Sequence, residues 1–232
     1  MHILLTRPLD DCKELILRFK SLGHKVSHLP VIKIQNVNYD KININEFGGI
    51  IFTSANAIKN LNTLNINKQI NCFCVGSSTE SFAKQNGFQN IFCAEGNVNN
   101  LKEVILQNFD KRSGNLLYVS GEIISSNLDI DLISEGYIVK RIINYSVLPT
   151  EEISEEFINE LKLSIPDMVY VYSENSARNY LNLLKKYNLL DYWMNTNLMC
   201  LGEKTSSVLN EIKWKKIFLF NSGEEEFLLY KI

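Results

Sequence analysis

Short apolar runs alternate with amphipathic segments along the whole chain. The apolar runs fit strands, whereas apolar residues spaced three and four apart in the intervening segments fit helices. Strands are predicted at residues 3–6, 25–29, 31–37, 49–53, 72–75, 90–93, 115–120, 137–148, 168–173, 197–201 and 216–220. Helices are predicted at residues 10–22, 56–64, 78–86, 97–108, 126–135, 151–162, 176–187 and 203–212, and from Gly223 onwards. This alternation predicts an α/β fold of doubly wound parallel sheets with helices on both faces.

The second half of the chain repeats the first half in a loosened form. The similar pairs of segments are 50–57 with 170–177, 75–79 with 201–205, and 22–26 with 135–139. Their offsets of 113 to 126 residues are far longer than the period of a solenoid repeat. The repeat therefore predicts two similar domains with a cleft between them.

Two divisions of the chain fit this pattern. In the first, extended stretches at about 31–37 and 144–149 form a two-stranded linker. One discontinuous domain is then 1–34 plus 150–232, and the other is 37–145. In the second division, two sequential domains meet near residues 111–114. Periodicity alone leaves both divisions open.

Composition and charge exclude several classes of protein. The 232 residues carry a net charge of −2, so no overall basic field favours nucleic acid or an anionic membrane. The five cysteines lack a C-x-x-C pattern and fit free thiols in a reducing compartment, with Cys72 and Cys74 on one face of a strand. The sequence shows neither a signal peptide nor a run of transmembrane length. We expect a cytoplasmic protein.

Polar residues cluster where predicted strands give way to helices. These junctions share the carboxyl edge of a doubly wound sheet, where ligands bind, and free N–H groups there favour anions. The same residue types also serve as ordinary N-caps, but their recurrence in both halves favours an anion-binding role. The candidate substrate-binding residues are Thr6, Arg7, Ser54, Asn56, Ser77, Ser78, Thr79, Ser120, Gly121, Ser173, Asn175, Ser176, Lys204 and Thr205.

Motifs of other chemistries are missing or incomplete. The chain has no G-x-G-x-x-G, and residues 202–205 lack the spacing of a phosphate-binding loop. It has no G-x-S-x-G, and its three histidines all lie near the N-terminus, which disfavours histidine-based nucleophilic catalysis. His24 and His28 are four residues apart, but a strand is predicted at 25–29 and no further ligand is nearby, so we expect no metal.

The junctions resemble those of the uroporphyrinogen-III synthase family over nearly the whole chain. The matching segments are 5–8 (LTRP), 52–57 (FTSANA), 75–79 (VGSST), 144–147 (NYSV), 172–176 (YSENS) and 201–205 (LGEKT). The resemblance implies the discontinuous division of the chain, with an active site in the cleft. It implies a lyase that cyclises hydroxymethylbilane to uroporphyrinogen III, inverting ring D and releasing water, without a cofactor. The expected partner is this linear tetrapyrrole, bound by a monomer without nucleic acid or membrane.

The resemblance also implies roles for single residues. Tyr145 aligns with a family tyrosine beside the cleft and is the candidate catalytic acid for the departing hydroxyl. An aromatic that packs under the linker is the alternative role for Tyr145. Thr79 and Thr205 align with ligand-side threonines, and Arg7 and Lys204 are the best-placed cations.

One stretch departs from the family's pattern. The family carries an arginine-bearing helix start after a glycine, whereas residues 120–127 contain no basic residue and add Glu122. Either Ser125, Ser126 and backbone N–H groups replace the arginine, or the affinity for an anionic substrate is weaker here.

Two other classes of protein compete with the enzyme. A non-catalytic two-domain receptor for a polyanionic small molecule would show the same repeat, linkers and helix ends, but the missing export signal counts against a periplasmic receptor. A nucleotide-dependent transferase is less favoured because no phosphate loop is present.

Overall fold

The computed structural model describes residues 1–221, 224–226 and 229 and has the predicted α/β architecture. The strands are β1 His2–Leu5, β2 Lys25–His28, β3 Ile32–Asn36, β4 Gly49–Phe52, β5 Asn71–Val75, β6 Ile91–Ala94, β7 Leu116–Gly121, β8 Val139–Pro149, β9 Met168–Val171, β10 Asn197–Cys200 and β11 Lys216–Leu219. The helices are α1 Leu9–Ser21, α2 Ala55–Lys59, α3 Ser77–Gln85, α4 Val98–Asn108, α5 Leu128–Ser134, α6 Glu155–Leu163, α7 Glu174–Lys186 and α8 Glu203–Val208. The helix predicted from Gly223 lies outside the described residues. None of the helices described here is long and apolar enough to cross a membrane.

The first compact unit comprises residues 1–33 and 148–232. Its five-stranded sheet has the order β11-β10-β9-β1-β2, and all neighbouring strands are parallel. β1 is buried throughout because helices cover both faces of the sheet. Its side chains alternate between two core clusters, with Leu4 in one and Ile3 and Leu5 in the other.

The second compact unit comprises residues 34–147. Its six-stranded sheet has the order β3-β8-β7-β4-β5-β6, and strands β4 to β8 run parallel. Cys72 and Cys74 belong to one core cluster and Phe73 to the other, which confirms that the two thiols share a face of the strand. All five cysteines of the chain are free thiols.

β3 and β8 carry the chain between the two units. The division falls after Lys33 in β3 and after Val147 in β8. Beside these positions, the N–H of Val37 donates to the carbonyl of Asn144, and the N–H of Thr150 donates to the carbonyl of Val31. This hydrogen-bond register is that of an antiparallel pair.

Two local predictions were wrong for identifiable reasons. The helix predicted to begin at residue 10 begins at Leu9 with Pro8 as its cap, and Asp10 lies in the first turn, where a carboxylate complements the helix dipole. The helix predicted at 56–64 ends at Lys59. Beyond it, the Asn62 side chain accepts the N–H of Leu64, a local bond that competes with helix continuation.

The internal repeat extends to the backbone of the junctions. Ser54 and Ser173 cap α2 and α7 with φ values of −154° and −155°. Gly76 and Gly202 precede α3 and α8 with φ values of +78° and +86°. Corresponding junctions of the two units therefore begin their helices in the same way.

Candidate functional site

The predicted site residues lie at the carboxyl edges of the two sheets. Because the strands within each sheet that carry these residues are parallel, their carboxyl ends fall at one edge. In the first unit this edge carries Thr6, Arg7, Ser173, Asn175, Ser176, Lys204 and Thr205. In the second unit it carries Ser54, Asn56, Ser77, Ser78, Thr79, Ser120, Gly121 and Tyr145.

Tyr145 is a mostly buried phenol packed on the end of β7. It is 8% exposed and stands opposite Gly121, where the pairing of β7 and β8 is irregular. Burial raises the pKa of Tyr145 above its ordinary value, while hydrogen bonding with the Ser54 side chain and the Gly121 backbone opposes the rise. The phenol is therefore protonated at neutral pH and is able to donate a proton.

Arg141 of β8 supplies a cation at the junction where the sequence lacks one. Its Nε donates to Ser120 Oγ at 2.8 Å, and its Nη2 donates to the carbonyls of Gly121 and Glu122 at 2.9 and 3.0 Å. Sequence reasoning missed Arg141 because its position at this junction depends on the register of β8 against β7. In that register, Arg141 pairs with Tyr118 of the neighbouring strand.

A second phenol, Tyr118, lies near Tyr145. Tyr118 is 1% exposed, and its hydroxyl is 3.1 Å from Thr53 Oγ1. Burial raises the pKa of Tyr118, and the Thr53 bond and the nearby Arg141 charge oppose the rise. Sequence reasoning did not single out Tyr118, because a tyrosine inside a buried strand is indistinguishable there from core packing.

The start of α3 in the second unit has no side-chain cap. Ser77 and Ser78 are exposed in its first turn, and Gly76 provides no side-chain cap. Thr79 is 5% exposed. The N–H groups of this first turn therefore lack a side-chain partner at the helix start and suit a carboxylate.

At the start of α2, the side chain of Ser54, a predicted substrate contact, caps the helix. The half-buried Ser54 Oγ accepts the N–H of Asn56 at 3.2 Å. Ser54 therefore serves as the N-cap of a short helix and also lies beside the Tyr145 phenol.

In the first unit, Arg7 stacks on an aromatic ring at the sheet edge. Its guanidinium carbon lies 4.6 Å from the ring centre of Tyr172, a cation–π geometry. Burial raises the pKa of Tyr172 well above its ordinary value. Thr6 is fully buried and donates its hydroxyl to the carbonyl of Tyr170 at 2.6 Å, so this hydroxyl has an internal partner.

The other two junctions of the first unit divide into buried and exposed residues. Ser173 Oγ accepts the N–H of Ser176 at 3.1 Å and donates to Ser176 Oγ at 2.9 Å. Thr205 is 3% exposed and donates its hydroxyl to the carbonyl of Leu201 at 3.1 Å. Asn175 and Lys204 are exposed and present their side chains to solvent.

Comparison with known proteins identifies the family. The family model HEM4, uroporphyrinogen-III synthase HemD, matches residues 13–219. The chain is similar to the structure of uroporphyrinogen-III synthetase from Helicobacter pylori 26695, with 19% identity and a TM-score of 0.65 over 100% of this chain and 99% of that one. It is also similar to a mutant uroporphyrinogen III synthase from the extremely thermophilic bacterium Thermus thermophilus, with 14% identity and a TM-score of 0.56 over 100% and 97% of the two chains. No curated protein matches the sequence.

These comparisons carry different weight. At such low identities, the structural similarity supports the shared two-domain α/β fold. The family model extends over most of the sequence, including every junction described above except Thr6 and Arg7. The chain belongs to the uroporphyrinogen-III synthase family.

Proposed function

We propose that this protein is a cyclising lyase that converts hydroxymethylbilane into uroporphyrinogen III, with inversion of ring D and loss of water. Family membership supports a role in tetrapyrrole biosynthesis. The observation that carries the specific reaction is Tyr145, a protonated phenol held at a sheet edge beside Ser54 and Gly121. Its segment is one of those that resemble the family.

The phenol serves as the acid for the first step. As the C–O bond of the hydroxymethyl group breaks, Tyr145 transfers a proton to the departing oxygen, and water leaves. The adjacent pyrrole takes up the positive charge by resonance, so a weak acid is sufficient. The cationic methylene then bonds to the ring D carbon that already carries the bridge from ring C, and the older bond between that carbon and the bridge breaks. The freed bridge methylene, whose positive charge ring C stabilises, bonds to the other α-carbon of ring D, which inverts the ring, and the proton lost from that carbon restores the phenol. The net change is the loss of one water molecule.

Binding depends on the many carboxylates of the substrate. Acetate and propionate groups extend from its pyrrole rings, and the exposed backbone donors of Ser77 and Ser78 are suited to them. Arg7, Asn175 and Lys204 add side-chain donors in the first unit. One carboxylate at a helix start is stabilised by about 0.3–1 kcal/mol, so several contacts must act together to hold the flexible linear substrate. Bringing its two ends together is mainly a problem of orientation.

Isomer analysis tests the proposed function directly. The protein is incubated with freshly prepared hydroxymethylbilane, and the oxidised porphyrins are separated by chromatography. We expect the type III isomer well above the type I isomer that forms spontaneously, and heat-denatured protein provides the background. If the folded protein yields only type I, the receptor alternative replaces the enzyme.

The variant Tyr145→Phe tests the proposed acid. Loss of the hydroxyl removes the proton donor but keeps the ring, so we expect turnover to fall by about 10²-fold or more with an unchanged fold. Steady-state kinetics and the melting temperature measure the two effects separately. Tyr39→Phe, a half-buried tyrosine elsewhere in the second unit, is the matched control. Full turnover in Tyr145→Phe would exclude Tyr145 as the acid.

A further inference from the structure

Arg141 holds three consecutive residues at the end of β7. Its guanidinium donates to the Ser120 hydroxyl and to the carbonyls of Gly121 and Glu122. The Ser120 hydroxyl itself donates to the Gly121 carbonyl at 3.0 Å. The Gly121 carbonyl therefore receives one charged and one neutral donor, and charge-assisted bonds are the stronger kind.

The Tyr145 ring packs on Gly121, the middle one of these three residues. A Cβ atom at Gly121 would lie 2.7 Å from Tyr145 Cζ and 3.0 Å from its hydroxyl oxygen, so the ring touches the Gly121 backbone directly. The N–H of Glu122 donates to the Tyr145 carbonyl at 2.9 Å. Backbone and side chain of Tyr145 are thus both placed by the segment that Arg141 holds.

The irregular pairing explains why this segment needs such support. The register of β7 and β8 shifts between Ser120 and Gly121, where Gly121 pairs with Tyr145. A bulge disrupts the regular ladder of hydrogen bonds and leaves backbone groups that require other partners. Arg141 provides these partners through the fixed fork of its guanidinium.

The pattern of contacts differs from that of an ordinary surface arginine. Among the residues that the structure describes, Arg141 forms no salt bridge, and its hydrogen bonds go to one hydroxyl and two carbonyls. Arg112, in the same unit, instead pairs with Asp110 at 2.8 Å and is 91% exposed. Two of the three hydrogen bonds of Arg141 therefore go to the backbone on which Tyr145 packs.

We propose that Arg141 is a positioning residue for the cyclisation: it fixes residues 120–122 opposite the bulge in β8 and thereby holds the Tyr145 hydroxyl in place for proton transfer. The inference rests on the proposed function, because Arg141 acts on the reaction through Tyr145. Arg141 also supplies a cation at the junction where residues 120–127 contain none.

A double-mutant cycle separates positioning from other roles. kcat and KM for type III isomer formation are measured for the wild-type chain, Arg141→Gln, Tyr145→Phe and the double variant. We expect Arg141→Gln to lower kcat by about 10- to 100-fold, since small displacements of a reacting group have effects of this size, with KM changed less than about twofold. In the Tyr145→Phe background, the same substitution is expected to change kcat by less than about twofold.

A conservative variant and a spectroscopic measurement complete the design. Arg141→Lys keeps the charge and reaches part of the acceptor set, so we expect partial recovery of kcat. In carbon NMR of protein with ¹³C-labelled tyrosine Cζ, the Tyr145 resonance is assigned as the one that Tyr145→Phe removes. We expect Arg141→Gln to shift this resonance. Arg112→Gln, the control at an exposed ion pair, is expected to leave both kcat and this resonance unchanged.

Defined outcomes overturn the inference. A raised KM with unchanged kcat would show that Arg141 binds a substrate carboxylate directly. An equal loss of kcat with and without the Tyr145 hydroxyl would show a general structural role. If Arg141→Gln does not fold, Ser120→Ala replaces it, with a smaller loss of kcat expected that disappears in the Tyr145→Phe background. A wild-type chain without type III product rejects the proposed function itself, whereas an active chain insensitive to Arg141→Gln and Arg141→Lys rejects only this inference.

Discussion

At the scale of single residues, the contact between Gly121 and Tyr145 depends on a missing Cβ atom. Gly121 does not have a positive φ, so its backbone is open to any residue. The restriction comes from the phenol ring, which occupies the space where a side chain would begin. Gly121 was chosen from the sequence as a possible substrate contact, and its close packing could not be predicted because it depends on a bulge between distant segments.

Substitution of Gly121 by alanine tests this contact. The added methyl would lie 2.7 Å from Tyr145 Cζ, so the ring must move. Overpacking of this kind costs about 1–3 kcal/mol of stability, and we expect turnover to fall by about 10-fold or more as the hydroxyl moves. Urea unfolding and isomer kinetics measure the two effects, and Gly121→Ser is expected to be at least as damaging. Wild-type turnover in Gly121→Ala would mean that the ring position does not matter for the reaction.

His2 gives the stability a predictable dependence on pH. His2 is 6% exposed, and its Nε2 lies 2.8 Å from Ser27 Oγ. Burial, and secondly the charge of Lys25, lower the pKa of His2 below its ordinary value of 6.5. Below pH 6.5 the unfolded chain therefore binds more protons than the folded one, and the free energy of unfolding falls as the pH drops towards the lowered pKa.

Urea unfolding between pH 7.5 and 5.5 checks this dependence, with His2→Gln as the variant. We expect the variant to lose less stability than the wild type on acidification. A smaller pH dependence remains, because the pKa of His24 is also lowered, chiefly by burial. Identical pH profiles for the two proteins would contradict a proton-excluding site at His2.

At the scale of elements, the alternation of apolar and amphipathic segments was sufficient to predict the strands and most helices. It succeeded because buried parallel strands read as continuous apolar runs, as in β1 and β9. It could not predict the register of β8 against β7, which brings Arg141 and Tyr145 to the same junction. Pairing between segments distant in sequence leaves no periodic signal in either of them.

The glycines before α3 and α8 offer a test of the repeated junction. Gly76 has φ +78° and ψ 150°, a region that is almost exclusive to glycine, and its missing Cβ would meet no atom within 4 Å. Gly76→Ala is therefore expected to cost about 1–3 kcal/mol from the backbone alone. Gly202→Ala is expected to cost a similar amount, because its φ is +86° and its surroundings are equally open.

Chemical denaturation of the two glycine variants measures these costs. Ser78→Ala, exposed in the first turn of α3, is the control for the helix start and is expected to change the stability little. A loss well below 1 kcal/mol in Gly76→Ala would show that the junction relaxes to an ordinary conformation.

At the scale of the whole molecule, the net charge of −2 means that a polyanionic substrate is attracted by local donors rather than by an overall field. Arg7 and Lys204 in the first unit and Arg141 in the second are cations at the carboxyl edges. The sequence indicated the first two because they lie where strands give way to helices. Arg141 comes instead from within β8, and three-dimensional pairing brings it to the end of β7.

Ligand-induced stabilisation tests whether the carboxylates of the ligand contribute most of its binding to the protein. Uroporphyrin III, the oxidised form of the proposed product, is compared with coproporphyrin III, which has fewer carboxylates. At a ligand concentration of 100 times Kd, stability rises by about 2.7 kcal/mol, which corresponds to a rise of about 5–10 °C in Tm for a chain of this size. We expect a clearly smaller rise in Tm with coproporphyrin at the same concentration. We also expect the rise with uroporphyrin to decline as salt increases, because salt screens the attraction between exposed charges, with a screening length of about 10 Å at 0.1 M. Equal and salt-independent shifts with both porphyrins would mean that contacts with the macrocycle, rather than with its carboxylates, hold the ligand, and the polar junctions would then have to be explained as helix caps alone.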